Sequence, residues 1–199
     1  MNKRQRIEQT LAGELPDRLP VSVGRHFPGD DQRAADLARS LRDYQQRYDW
    51  DFLPIYPSAQ FSVTGYGLHD QWHGQPDGQR AVVRRVIQRS LDWTEVRTLD
   101  PMRGDMGKQI EVVRLLGDSL DPDTPILHAI YSPLSQAARI ADETLLIRHM
   151  RTEPDRLRTG LNAITESTLR FIDALRRLPI AGIIYIIEHA HYNALSEAE

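Results

Sequence analysis

An almost uniformly apolar run at residues 180–187, Ile-Ala-Gly-Ile-Ile-Tyr-Ile-Ile, limits the folds available to this chain more than any other stretch. It is too short to span a bilayer, which takes about 20 apolar residues, but it has the length of a β-strand. A strand has this composition when helices cover both faces of a parallel sheet. Residues 155–178, just before the run, carry apolar side chains at helical spacing. This part of the chain therefore predicts a long helix that leads into a buried parallel strand.

The same alternation of strand and helix runs through the rest of the sequence. Further strands are predicted at residues 20–23, 51–56 and 125–130. Helices are predicted from the spacing of apolar side chains. They cover residues 3–11, the stripe from Ala34 to Tyr48 after the turn and N-cap Gly29-Asp30-Asp31, the segment capped by Asp105, and residues 134–140 and 144–150. Strands that alternate with amphipathic helices form βαβ units, so we predict an α/β fold with a parallel sheet.

One region departs from this repeat. Residues 57–78 are rich in Gly, Pro and aromatic side chains and are predicted to be mostly loop. Residues 81–89 alternate in polarity, which predicts a strand that pairs with residues 61–66 in a hairpin outside the main repeat. Trp72 and Trp93 are interpreted as side chains that pack this excursion against the rest of the fold.

Composition and charge exclude several classes of protein. With 199 residues, of which 40% are hydrophobic and 27% charged, we expect a single domain over residues 1–199. A formal net charge of −3 supplies no basic surface, so neither nucleic acid nor a membrane is expected as a partner. There is no cysteine, so a bound metal would need His and carboxylate ligands. The polar N-terminus, Met1 to Arg6, lacks the apolar core of a signal peptide, which predicts a cytoplasmic protein.

Four segments carry more specific motifs. In chain order they are Asp17-Arg18-Leu19-Pro20-Val21 with Arg25-His26-Phe27-Pro28-Gly29-Asp30-Asp31, then Asp51-Phe52-Leu53, then Tyr131-Ser132-Pro133-Leu134, and finally Ala181-Gly182-Ile183-Ile184-Tyr185 with Ala190 and Leu195-Ser196-Glu197. In this order and spacing they resemble the uroporphyrinogen decarboxylase family. The resemblance implies a TIM (β/α)₈ barrel, of which this chain would supply the N-terminal half: about the first four βα units and the hairpin excursion.

The resemblance also implies a function: a carboxy-lyase of porphyrin metabolism that acts on a tetrapyrrole or related polycarboxylate and needs no organic cofactor. In the haem-pathway enzymes, two arginines four residues apart bind the acidic side chains of the tetrapyrrole. Arg25 resembles the first, and Gly29 stands in the place of the second. A tyrosine of those enzymes corresponds to Arg139 here. These departures indicate the divergent decarboxylase-like branch of the family.

In a barrel of this type, the reactive groups lie at the carboxyl ends of the strands. We predict three catalytic residues there: Arg25 to hold carboxylates, and His26 or Tyr131 to supply a proton. His128 and Glu188 are expected at the same edge. The predicted binding site for a small acidic substrate consists of Arg25, Tyr56, Gln60, Ser132, His189, His191 and Tyr192.

Structural roles compete with several of these assignments. Arg25 is also suited to pair with Asp30 or Asp31 as a structural cation, and Tyr131 with Ser132 to cap the helix that follows. His189 and His191 would face the same way along a strand, but no third ligand is identifiable, so no metal site is predicted and zinc is the weaker alternative. The corrinoid-linked methyltransferases of the same superfamily use zinc with cysteine ligands, and a relative of these enzymes is an alternative function.

A different alternative is a truncated, non-catalytic half-barrel. The last four residues, Ser196 to Glu199, have the form of a capping box and are consistent with a chain that stops where a helix begins, or with an accidental match in a polar tail. Four parallel strands would leave unpaired edges, which are templates for pairing with another chain. We therefore expect a homodimer if the chain is stable alone.

Overall fold

A computed structural model describes residues 1–189 and 195–196 of the chain. Within these residues the chain forms six α-helices and five β-strands. In chain order they are α1 (Lys3–Leu11), α2 (Ala34–Tyr48), β1 (Leu53–Ile55), β2 (His69–Trp72), β3 (Arg80–Arg84), α3 (Gly104–Gly117), β4 (Ile126–Tyr131), α4 (Pro133–Ala141), α5 (Glu143–Thr152), α6 (Pro154–Leu175) and β5 (Gly182–Ile186). Three short 3₁₀ helices lie at Asp30–Gln32, Thr64–Tyr66 and Ser90–Glu95.

The main sheet has three parallel strands in the order β1-β4-β5. Leu53 is in register with Ile126, and Leu127 with Gly182. The parallel order confirms the α/β fold predicted from the alternation of strands and helices. The central strand, β4, is buried along nearly its whole length, as expected for a strand that helices cover.

The prediction of a strand at residues 20–23 is wrong, and the described sheet has three strands where four were expected. This segment runs beside the start of β1 without forming a ladder. The Val21 N–H donates to the Asp51 carboxylate over 2.7 Å, and the Val21 carbonyl accepts from the Asp51 N–H over 3.0 Å. Pro20 has no N–H to donate. A side chain therefore takes the place that a backbone carbonyl holds in a strand pair.

A buried ion cluster fixes the N-terminal region to the sheet. Asp51, which is 1% exposed, accepts hydrogen bonds from both Arg6 and Arg18, and Arg6 also pairs with Asp17 over 2.7 Å. Burial would raise the pKa of Asp51, but the hydrogen bonds from Arg18 and the Val21 N–H hold it below its usual value. The hydrogen bonds from Arg6 lower the pKa of Asp17 to about 2. Both carboxylates are therefore ionised at neutral pH.

The hairpin excursion exists, but with a different partner strand. β3 pairs with β2 in antiparallel order, Trp72 opposite Arg80, and not with residues 61–66. Asp70 and Arg80 form an ion pair across the two strands over 2.8 Å. Residues 61–63 are buried, and Thr64–Tyr66 form a 3₁₀ helix. The expected pairing failed because the apolar side chains of this segment pack into the core and do not belong to a hairpin strand.

The helices lie where their periodicity predicted them, but two predicted caps are wrong. Asp30 and Asp31 lie in a 3₁₀ helix, and Arg33 occupies the N-cap position of α2. Asp105 lies in the first turn of α3, one residue inside the helix. Among the residues that the structure describes, none of the helices combines the length and apolar character that a membrane span requires.

Two hydrophobic clusters hold these elements together. The first packs α2, α3 and the end of α6 against the main sheet, around Leu41, Val113, Ile130 and Phe171. The second joins the excursion to α4, α5 and α6. Trp93, which is fully buried, lies in this second cluster, which confirms the packing role predicted for it.

Candidate functional site

The carboxyl ends of β1, β4 and β5 lie at one edge of the sheet because the three strands are parallel. Tyr56 directly follows β1, Tyr131 is the last residue of β4, and Glu188 comes two residues after β5. α4 begins beside them and carries Arg139. We call Tyr56, Tyr131, Arg139 and Glu188 the rim cluster. In α/β barrels this edge is where reactive groups gather.

Tyr131 is the most enclosed member of the rim cluster, with 8% of its surface exposed. The guanidinium carbon of Arg139 lies 4.2 Å from the centre of its ring, a cation–π contact. Burial raises the pKa of the Tyr131 hydroxyl, Glu188 and Tyr56 add to this effect, and Arg139 opposes it. The phenol is therefore protonated at neutral pH and is able to donate a proton or a hydrogen bond.

Arg139 connects α4 to the segments that follow β1 and β5. Its Nε donates to the Ala59 carbonyl over 2.9 Å, and its Nη1 donates to the Ser135 carbonyl over 3.2 Å. Both terminal nitrogens donate to the Glu188 carboxylate, Nη2 over 3.1 Å. These hydrogen bonds lower the pKa of Glu188, although partial burial opposes the shift. The donors of Arg139 are thus used within the protein, and its place is fixed.

Two serines reinforce this arrangement. Ser132 is the N-cap of α4 and accepts a hydrogen bond from the Ser135 N–H over 3.2 Å. The Ser135 hydroxyl in turn accepts from the Glu188 N–H over 2.9 Å. The Ser132 N–H donates to the Ile186 carbonyl over 2.8 Å. The structure therefore shows the helix-capping role for Ser132, and the two serines tie the end of β5 to the start of α4.

Arg25 and His26 lie in an exposed part of the loop that joins α1 to α2. Arg25 does not pair with Asp30 or Asp31, and no ion pair joins it to any other described residue. Its guanidinium carbon lies 4.7 Å from the centre of the Phe27 ring instead. The His26 ring meets Tyr56 edge-on, with 6.4 Å between the ring centres. This contact connects the loop to the rim cluster.

A pocket of about 660 Å³ opens beside the rim cluster. It lies between the hairpin excursion, α4 and the end of β5, and Arg139 and Glu188 border it. Two predicted binding residues, Gln60 and His189, line the same pocket. A volume of this size accommodates a small organic ligand. The His189 Nδ1 lies 3.5 Å from Glu143, and the described residues contain no group of three side chains placed to hold a metal ion.

Comparison with known proteins identifies the family. Residues 73–199, more than half of the chain, match the sequence model of the family described as Uroporphyrinogen decarboxylase (URO-D). The chain belongs to this family. A search of curated protein sequences gives no match. A methyltransferase from Methanosarcina mazei has a similar structure, with a TM-score of 0.84 and 17% sequence identity over 98% of this chain. The chain spans 62% of the length of that protein.

Family membership confirms the resemblance inferred from the four motif segments, and the similarity to the methyltransferase confirms the barrel-type fold. At this level of identity, a structural match shows the fold alone. Tyr56 lies near Tyr131 at one edge, His26 contacts Tyr56, and Gln60 and His189 lie in the neighbouring pocket. The Arg25 guanidinium lies against the rings of Phe27 and Tyr44. His191 and Tyr192 lie outside the described residues. The catalytic and binding roles of the predicted site residues in this member of the uroporphyrinogen decarboxylase family remain predictions.

The placement of His128 at this edge is wrong. Its side chain is fully buried, and its ring centre lies 5.6 Å from that of Phe61 and 5.5 Å from that of Phe171. Side chains alternate along a strand, so residues three apart in β4, such as His128 and Tyr131, point to opposite faces. His128 is therefore part of the hydrophobic core between the sheet and α6.

Sequence reasoning missed the central ion pair of the site. The sequence presented Arg139 only as the residue that replaces a family tyrosine, and Glu188 only as one of several polar residues at the carboxyl edge of the sheet. Their contact joins positions 49 residues apart, and no local sequence pattern predicts it. The one available signal was the motif comparison, which already placed Arg139 at a position that carries a functional side chain in the family.

Proposed function

We propose that this protein is a decarboxylase that removes a carboxylate group from a tetrapyrrole or a related polycarboxylate, as part of porphyrin metabolism. The observation that carries the proposal is Tyr131, a buried and protonated phenol at the carboxyl end of β4, in a chain of the uroporphyrinogen decarboxylase family. Decarboxylation needs such a group, because the carbon that loses CO₂ must take up a proton.

The proposed reaction assigns a role to each part of the edge. Arg25, exposed and without an ion pair among the described residues, binds a substrate carboxylate with its two-pronged guanidinium. The bond between the reacting carboxylate and its neighbouring carbon breaks, and the carboxylate leaves as CO₂. The electron pair stays on the carbon, which accepts the Tyr131 proton, and solvent then restores the phenol.

The remaining rim residues position and tune Tyr131. The guanidinium of Arg139 packs on the face of the Tyr131 ring and holds it in place. The nearby negative charge of Glu188 disfavours the phenolate form of Tyr131. A protonated acid is thereby retained near neutral pH. Gln60 and His189 line the pocket that would receive the rest of the substrate.

A test is the release of CO₂ from uroporphyrinogen by the wild-type chain and by Tyr131→Phe. The substitution keeps the ring beneath Arg139 and removes only the hydroxyl, so the fold is retained while the rate falls about 100- to 10,000-fold. Tyr48→Phe, at the exposed end of α2, is the matched control and keeps the wild-type rate. Equal rates for wild type and Tyr131→Phe would exclude Tyr131 as the proton donor. No CO₂ release from the wild type would exclude the function on this substrate.

A second candidate is methyl transfer of the corrinoid-linked type. The observation in its favour is the solved structure with a TM-score of 0.84, whose name is methyltransferase. Incubation with a methylated corrinoid, a thiol acceptor and zinc would test it. Formation of the methylated thiol, without CO₂ release from uroporphyrinogen, would favour this function over decarboxylation.

A non-catalytic role remains the third candidate. The outer edge of β5 has no strand partner among the described residues. A chain that self-associates through this edge as a homodimer, without turnover, would be a half-barrel with a structural role. A cytoplasmic location fits all three candidates and is part of the proposal.

A further inference from the structure

A hydrogen bond between two buried side chains joins the excursion to α5. Trp93, in the 3₁₀ helix that follows the hairpin, is fully buried, and His149, in the last turn of α5, is 5% exposed. The Trp93 indole N–H donates to the His149 Nδ1 over 3.0 Å. Because an indole N–H can only donate, Nδ1 must carry no proton. The imidazole is therefore neutral, with its proton on Nε2.

The charges around His149 come from each element packed against it. Burial lowers the pKa of His149, and Arg148, its neighbour in α5, lowers it further. Glu153, after α5, and Asp92, in the 3₁₀ helix, oppose the shift. Arg156 of α6 pairs with Glu153 over 3.4 Å. The neutral imidazole is favoured, but two carboxylates lie near enough to accept the charged form.

Proton uptake by His149 breaks the hydrogen bond. A protonated imidazole carries an N–H at both ring nitrogens, so Nδ1 no longer accepts from the indole. The Trp93 N–H is then buried without a partner, which favours opening of the contact. Because the pKa of His149 is lowered, the bond is intact above pH 6.5, the ordinary histidine value, and is lost as the pH falls below it.

The two elements that this bond joins also border the pocket beside the rim cluster. The excursion borders it with Val82 and Arg85, and α5 borders it with Glu143. Trp93 and His149 themselves lie outside the residues that line the pocket. A change in their contact therefore acts on the walls of the pocket and not on a ligand within it.

We propose that Trp93 and His149 form a pH-sensitive latch between the excursion and α5, which is closed while His149 is neutral and released when its imidazole takes up a proton. Release leaves the core packing of the Trp93 ring in place and removes its one polar contact with α5. The 3₁₀ helix Ser90–Glu95 then opens locally about tenfold more often. The latch is independent of the proposed decarboxylation, because neither side chain takes part in that reaction.

The indole N–H of Trp93 reports the state of the latch directly. The chain has three tryptophans, so this group gives one of three indole signals in a ¹H–¹⁵N NMR spectrum. From about pH 8 to about pH 4.5 we expect the Trp93 signal to shift with one midpoint below pH 6.5. Its exchange with solvent, corrected for the intrinsic effect of pH, should rise about tenfold.

Two variants assign the titration to His149. His149→Gln offers the indole a carbonyl acceptor that does not titrate, so the Trp93 signal should stay constant with pH. His128→Phe, the matched control, removes another buried histidine, which contacts Phe61 and not Trp93, and should keep the wild-type titration. The coupling is reciprocal. In Trp93→Phe, which lacks the donor, His149 should titrate at a higher pH than in the wild type.

Several results would overturn the latch. They are a wild-type Trp93 signal that does not titrate, a titration that persists in His149→Gln, and a titrating signal whose exchange with solvent does not become faster. An unchanged His149 midpoint in Trp93→Phe would do the same. If these variants unfold, the wild type decides, because the His149 ring protons and the Trp93 indole must share one midpoint, and two different midpoints would exclude the latch.

Discussion

At the scale of single residues, His128 shows how burial changes a titratable group. Its Nδ1 makes a 2.8 Å hydrogen bond with the Ala129 carbonyl, and its Nε2 has no partner. The aromatic rings of Phe61 and Phe171 surround it. Burial lowers the pKa of His128 to about 4. The neutral imidazole is therefore the form that the folded protein accepts.

This shift predicts a pH dependence of stability. The unfolded chain, in which a histidine titrates near 6.5, binds the proton more strongly than the folded chain does. The neutral His128 makes its full contribution to the free energy of unfolding above pH 6.5, and this contribution is lost as the pH falls toward 4. Between pH 7 and pH 5 the free energy of unfolding should fall by about 2 kcal/mol through this residue.

Urea unfolding of His128→Phe checks this expectation. Phenylalanine fits between the same two rings without a proton to bind, so the variant lacks this part of the fall between pH 7 and pH 5. His73→Asn, in an exposed loop, is the control for a histidine replaced at the surface. A pH dependence as steep in His128→Phe as in the wild type would show that other groups are responsible.

The sequence was sufficient to predict which face of the sheet His128 points to, because side chains alternate along a strand and His128 and Tyr131 are three residues apart. The edge of the sheet could also be predicted, since residues after parallel strands share one side. The pairing of Arg139 with Glu188 could not. It depends on how the helix after β4 packs against the loop after β5, and this packing is set by contacts distant in the sequence.

At the scale of elements, the packing of α6 depends on Gly160. A Cβ atom added there would lie 2.6 Å from Cε3 of Trp93 and 3.2 Å from the Trp93 carbonyl oxygen. Because Trp93 is fully buried and donates its indole N–H to His149 over 3.0 Å, its ring has little room to move. The small residue thus lets the helix approach the excursion closely.

Gly160→Ala should therefore destabilise the protein. Alanine gains about 1 kcal/mol of helix propensity over glycine, but overpacking a closed core costs about 1–3 kcal/mol, and the clash here is severe. We expect a net loss of about 1–2 kcal/mol in the free energy of unfolding, measured by urea titration with Trp fluorescence. Asn162→Ala, exposed on the same helix, is the matched control and should be neutral or slightly stabilising. A stability gain in Gly160→Ala would contradict the close approach.

The sequence predicted best those elements whose apolar side chains recur at regular local spacing. α2 and α6 bury one side each, so their periodicity is sufficient to find them. The failed strand at residues 20–23 has a non-local cause, since Asp51 replaces the partner backbone. The hairpin register failed for a similar reason: apolar side chains at residues 61–66 pack into the core, so their presence does not distinguish a strand from a buried turn.

At the scale of the whole molecule, the two edges of the main sheet differ. The edge at β1 is flanked by residues 20–23, which are attached through Asp51 and through the Ser22 hydroxyl bonded to the Phe52 carbonyl over 2.7 Å. The outer edge of β5 has no such cover among the described residues. Ile183 and Tyr185 in this strand and Ile187 directly after it alternate along the chain and share one face, with exposures of 41%, 48% and 61%.

An exposed apolar strand with free N–H and C=O groups is a template for pairing. We therefore expect the isolated chain to form a homodimer through β5, seen as a mass that depends on concentration in size-exclusion chromatography with light scattering. Tyr185→Lys places a charge on this face and should weaken the dimer about tenfold or more. Tyr48→Lys changes an equally exposed tyrosine, 50% against 48%, on α2, which packs near β1 at the opposite edge of the sheet, and should leave the dimer intact. A wild-type chain that stays monomeric across the dilution series, or equal effects of the two substitutions, would show that this edge does not pair with a second copy.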